Sequence, residues 1–177
     1  MNRRRLVAIL AAAVAAIAIA GASFASPPRT YITHLTGSEE VPARETAAKG
    51  VAVFEVAPDG ESIRYQLVST RIDNAFMAHI HAGAFGTNGG IVVWLWPSTT
   101  PGAPGPLGSG SHNGLMTTGT ITAADLVGSL AGQDLDALIS LLASGGAYVN
   151  VHTNDGVAPT NTGPGDFPGG EIRGQID

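Results

Sequence analysis

Apolar residues in this chain come in short runs rather than long stripes. Runs rich in Val, Ile, Tyr and Thr at Tyr31–Leu35, Val51–Val56, Ser62–Val68, Met77–His81, Ile91–Leu95, Ala147–Thr153 and Glu171–Ile176 are separated by Gly, Pro, Asn and Asp, which predicts a series of short strands. Between the second and third runs, Ala57-Pro58-Asp59-Gly60 reads as a turn, Pro presetting φ and Gly accepting a positive one, so Val51–Val68 is predicted as a hairpin. Helical spacing is confined to Ala123–Leu130 and Leu135–Leu142, where Leu126, Leu130, Leu135, Leu138, Ile139 and Leu142 recur every three to four residues before Gly145-Gly146. Thr122 with Asp125, and Asp134, carry the cap signals for these two segments. Pro97–Gly119 and Asn154–Gly170, built from Gly, Pro, Ser, Thr and Asn, are expected to be long loops, either placed to cover a site or serving as surface padding. The pattern as a whole predicts an all-β fold: a Greek-key-like antiparallel β-sandwich or barrel with a short two-helix insertion between late strands.

Composition narrows this picture. The 24 glycines and 11 prolines among 177 residues demand loops, yet 44% hydrophobic content with little net charge excludes a disordered chain. Three consecutive arginines followed by an uncharged apolar stretch ending Ser23-Phe24-Ala25 make residues 1–25 a secretory signal, with cleavage expected after Ala25; an uncleaved anchor is the other reading of the same run. Residues 26–177 are then a single β domain, secreted to an extracellular or periplasmic space and without stable membrane insertion. They hold six basic and fourteen acidic residues, a net charge of −8, which favours cations and disfavours nucleic acid. The absence of cysteine excludes disulfides, thiolate metal sites and a thiol nucleophile, so a metal must be held by imidazole, oxygen or thioether. No Gly-x-Ser-x-Gly elbow occurs, and the glycine runs lack the lysine of a phosphate loop.

The histidines carry the candidate chemistry. In Met77-Ala78-His79-Ile80-His81, strand alternation puts Met77, His79 and His81 on one face and Ala78 and Ile80 on the other. In Tyr148–Thr153, Val149 and Val151 take the core face, leaving Asn150 and His152 on the opposite one. Three imidazoles on the non-core faces of two strands are a candidate ligand set of the kind that binds copper or zinc, with the Met77 thioether as an optional addition. The alternative is that all three are structural and bonded to backbone carbonyls. His34 is either a fourth ligand or an exposed polar residue, and His112, near Met116, is expected to be solvated. On the last strand Glu171, Arg173 and Gln175 share a face; they pair across strands, or else Glu171 orients an imidazole and Arg173 attracts a small anion. Asp155 and Asp166 are further orienting candidates, whereas Glu39-Glu40 reads as a solvated turn.

Five motifs in order, Leu35-Thr36-Gly37 with Glu40-Val41-Pro42, Ala78-His79-Ile80-His81-Ala82-Gly83, Gly119-Thr120-Ile121-Thr122 with Asp125-Leu126, Tyr148-Val149-Asn150-Val151-His152-Thr153 and Gly170-Glu171-Ile172-Arg173-Gly174-Gln175, resemble the chordin-type domain, CHRD. The resemblance implies an extracellular β-sandwich or barrel, found alone in microbial secreted proteins and repeated in chordin, an antagonist of bone morphogenetic proteins. It marks His79, His81, Asn150, His152, Glu171 and Arg173 as positions of interest without assigning them roles. The histidine arrangement is also similar to copper-zinc superoxide dismutase. That similarity implies copper on His79, His81 and His152 with Arg173 guiding an anion, although no cluster for a bridged zinc and no disulfide are present. Three functions follow as expectations: a secreted metal-binding protein with copper favoured, a non-catalytic extracellular module binding protein or glycan, and a superoxide dismutase-like redox enzyme.

Overall fold

The computed structural model describes residues 29–97 and 104–177, so the segment read as a secretory signal lies outside the described residues. The β-branched runs become strands β1 (Arg29–Thr36), β2 (Lys49–Val56), β3 (Ile63–Asp73), β4 (Ala75–Ala82), β5 (Gly90–Trp96), β6 (Ser111–Ile121), β7 (Ala147–Thr153) and β8 (Ile172–Ile176). All belong to one antiparallel sheet in the order β5-β4-β7-β8-β1-β2-β3-β6. The sheet curls until its two ends approach: the Tyr65 hydroxyl, from β3, donates to the Leu95 carbonyl of edge strand β5 at 2.7 Å. Of the two arrangements expected, a nearly closed barrel is therefore the one adopted, a form that leaves little strand edge exposed. The hairpin expected over Val51–Val68 is present as β2 paired with β3.

Inside the barrel lie the residues of one alternation phase, including Phe54, Leu67, Ile80, Leu95, Val149 and Ile172, all 0% exposed. Leu138 and Leu142 of α1 (Leu135–Ala143), the one α-helix among the described residues, join the same core.

Two expectations need correction. The stretch Pro97–Gly119 is not all loop, because Ser111–Ile121 forms β6 along the full length of β3. Its apolar signal is weak since β6 is an edge strand whose residues are mostly exposed or half-buried, and its threonines are strand formers whatever their hydropathy. The first helical segment is likewise not an α-helix. It breaks into two 3-10 turns, Ala123–Asp125 and Gly128–Leu130. Thr122 does cap the first, its backbone and hydroxyl groups both donating to Asp125 Oδ2 at 2.9 Å. The break comes at Gly128, which sits at φ 58° against the Ile91 carbonyl, where no side chain fits, while the Val127 N–H donates to Val92 O at 2.9 Å. The turn is thereby tied to the edge of β5, and a straight helix would forfeit that bond.

Candidate metal centre

Strand pairing puts the outward side chains of β4, β7 and β8 side by side. Across β4 and β7, Met77 faces His152, His79 faces Asn150 and His81 faces Tyr148; across β7 and β8, Asn150 faces Arg173 and Tyr148 faces Gln175. Residues directly opposite in an antiparallel pair project to the same side. The face is outside the barrel, yet it is not wet: His79 is 0%, His81 8% and His152 7% exposed. The cover comes from the segment after β4 and from the long segment before β8, the second of the two loops read from the sequence.

His79, His81 and His152 each offer a ring nitrogen, and these three atoms lie within 4.8 Å of one another. His34 is exposed on β1, and His112 bonds Ser69 Oγ at 3.0 Å on β6; neither joins the group. Backbone carbonyls set two of the three rings. His81 Nδ1 donates to Gly89 O at 2.9 Å and His152 Nδ1 donates to Pro168 O at 2.8 Å. A neutral imidazole has one N–H, so both rings keep a lone pair on Nε2. His79 Nδ1 lies 3.1 Å from His152 Nε2, close enough for one proton between them.

Burial holds the rings in that neutral form. It pushes His79 down to about 3, helped by the neighbouring His152 and His81, and lowers His81. Burial likewise takes His152 down to about 4, against the opposing hydrogen bond to Pro168. Neutral imidazole is the metal-binding form.

Around the triad stand two aromatic rings, Trp94 and Tyr148, and the Arg173 guanidinium. Trp94, opposite His79 on β5, sets its ring perpendicular to that imidazole with centroids 4.3 Å apart. Tyr148 stacks on His81 at 4.8 Å with planes 10° apart, and the Arg173 guanidinium lies 3.4 Å over the other partner in that stack, the Tyr148 ring. Arg173 is 1% exposed and donates to Asn88 Oδ1, Ala84 O and Gln175 Oε1, each at 3.3 Å, fastening the segment after β4. An anion can reach it only by displacing that segment.

Glu40, read from the sequence as solvated, is instead 6% exposed, and burial raises it to about 7 in spite of Arg173 and Arg44. The signal that could have singled it out was its place in the Glu40-Val41-Pro42 motif.

Glu171 is 0% exposed and its oxygens accept from Thr46 Oγ1 at 2.6 Å, Thr153 Oγ1 at 2.7 Å and Gly165 N at 2.7 Å, none of them an imidazole. It organises the covering segment. Asp166 and Asp155 serve local turns: Asp166 Oδ2 accepts from the backbone and hydroxyl of Thr162, and Asp155 Oδ1 accepts from Val157 N. Met77 sits half-buried opposite His152.

Residues 31–176 match the family model of the CHRD domain. No curated protein and no solved structure matches the chain.

Proposed function

The chain belongs to the CHRD-domain family, a family of extracellular modules, and from that premise we propose that it binds a metal ion through His79, His81 and His152. The observation that carries the proposal is the convergence of three buried ring nitrogens within 4.8 Å. Two of the rings are aimed by carbonyls, the arrangement that fixes the tautomer of a metal-bound histidine. For all three to bind at once, His152 Nε2 must be free of the proton it shares with His79, so His79 binds through Nδ1 and carries its proton on Nε2. Copper is the ion we propose, since imidazole sites bind copper(II) most tightly among the divalent first-row metals. The acidic surface of the domain favours a cation, and the export expected from residues 1–25 supports an encounter with copper outside the cytoplasm.

Titration of purified protein with copper tests this. One ion per chain is expected, with affinity falling about 100-fold or more in the His79→Ala/His152→Ala double variant, beyond the 10–100-fold typical of residues that only orient ligands. Equal affinity in wild type and variant overturns the reading.

A second prediction concerns the orienting carbonyl. A side chain at Gly89 would run into the Ala82 carbonyl, so Gly89→Ala must move the Gly89 oxygen that holds His81. Copper affinity is expected to drop about 10-fold or more while the β-sheet circular dichroism is kept. An unchanged affinity would show that the Gly89 bond has no part in aiming the ring.

The second functional reading is an interaction module in which the same bonds are staples. The His81–Gly89 and His152–Pro168 bonds tie both covering segments to the sheet, an observation that favours this reading. It predicts that no metal co-purifies and that His81→Ala lowers stability without altering metal content.

A further inference from the structure

The surroundings of the triad hold a second pattern. Among the described residues, the buried side-chain polar atoms without a hydrogen-bond partner are His79 Nε2, His81 Nε2, Asn150 Oδ1, Glu40 Oε1 and Asp166 Oδ1. The first four belong to one group. Asn150 faces His79 across β4 and β7, and its amide lies beside both the His81 ring and the Glu40 carboxyl. Glu40 Oε1 and Asn150 Nδ2 also flank the same backbone atom, Gly170 Cα, closely enough that a side chain there would strike both. An unpaired buried acceptor costs about 1–3 kcal/mol. Four in one place mark a site where something binds.

A metal on the three imidazoles answers part of this. It takes the lone pair of His81, while binding through His79 Nδ1 leaves His79 Nε2 a buried N–H. It does not answer Glu40 Oε1, whose carboxylate is not among the groups with converging ligand atoms, and it leaves Asn150 Oδ1 to be partnered as well. An amide oxygen and a carboxylate that a cation beside it would hold ionised are both acceptors, so together they call for a partner with two hydrogens to donate. Three imidazoles also leave a four-coordinate ion one ligand short. A water on the ion meets both conditions: its lone pair goes to the metal and its two O–H groups, sharpened as donors by the cation, remain to be placed.

We propose that the fourth position of the ion faces Asn150 and Glu40, and that these two side chains hold a metal-bound water there, making this a site for a small exchangeable oxygen ligand rather than a closed structural anchor. The inference rests on the metal reading above. The near-complete burial of all three histidines limits the ligand to a few atoms: water, hydroxide or an anion of similar bulk.

The test uses copper(II)-loaded wild type, Asn150→Ala and Glu40→Gln, with azide as the probe anion. Loaded wild type is expected to enhance solvent-proton relaxation and to show an azide-dependent change in its copper spectrum. Both variants are expected to keep one copper per chain and to shift azide affinity at least 10-fold, with Glu40→Gln, nearly isosteric, standing as the readout if Asn150→Ala fails to fold. Failure of copper to bind wild type removes the metal reading and this inference together. Copper bound with no relaxation enhancement and no azide response, or with the same azide affinity in wild type and Glu40→Gln, overturns the inference alone and leaves the metal reading standing.

Discussion

In its metal-free form, the protein is expected to lose stability on acidification in two stages, gently from about pH 6.5 to 4.5 and more steeply from there to about pH 4. His79 and His152 titrate near 6.5 when unfolded but are held down to about 3 and about 4 in the fold. Above pH 6.5 both states are neutral there and the stabilisation is complete. Below it the unfolded chain takes up protons the folded chain refuses, and stability falls until the folded rings protonate in turn. His81, also lowered, acts in the same sense.

Glu40 acts in the opposite sense. Its folded value is raised from 4.5 to about 7, so between those limits the folded state holds the extra proton and gains stability as pH falls. That gain offsets part of the histidine loss down to pH 4.5 and is exhausted below it. The net loss by pH 3 is on the order of 5 kcal/mol. Urea denaturation of metal-free protein at steps from pH 7.5 to 3.5 checks this, with Glu40→Gln removing the offset so that the decline is steep from 6.5 onward. A flat profile through that range would show that the three rings are not held neutral. Copper-loaded protein should resist the first stage, because a ligated nitrogen has no lone pair to offer a proton.

The largest effect of a single substitution is expected at Glu171. Its carboxylate binds three donors from three places: Thr46 after β1, Thr153 at the end of β7, and the Gly165 backbone in the segment that covers the triad. Thr153 Oγ1 in turn accepts from Phe167 N at 2.9 Å, so the network reaches the residue before the carbonyl that aims His152. Glu171→Ala leaves buried donors unpaired at about 1–3 kcal/mol each, a total of about 3–5 kcal/mol after relaxation. For a domain of this size that corresponds to a fall in Tm of roughly 10 °C, read by calorimetry of the metal-free protein. Glu171→Gln keeps one acceptor oxygen and should lose less. A Tm within 2 °C or so of wild type for the alanine variant would contradict the burial and bonding described here.

How much of the site was legible follows from the range of the physics involved. The outward set of His79 and His81 was readable because alternation is a property of four or five consecutive residues. Glu40 was not. Two adjacent acids after a glycine look solvated, and its burial depends on Asn150 and Gly170, more than a hundred positions away. Strand β6 was invisible because its sequence pattern is polar, and pairing with β3 decides it. The 3-10 turns escaped because the leucine spacing of Ala123–Leu130 is also served by short turns, and contact with the β5 edge selects them.

What the chain by itself determined was therefore the strand runs, their two faces and the chemistry on each: apolar residues on one side, imidazoles, an amide and an arginine on the other. Only the tertiary structure decided that the second face would be dry. Alternation follows from local backbone geometry. Burial, neutral imidazoles and the 3.1 Å approach of His79 to His152, 73 residues apart, follow from non-local pairing of β4 with β7 and from a loop folding back over both.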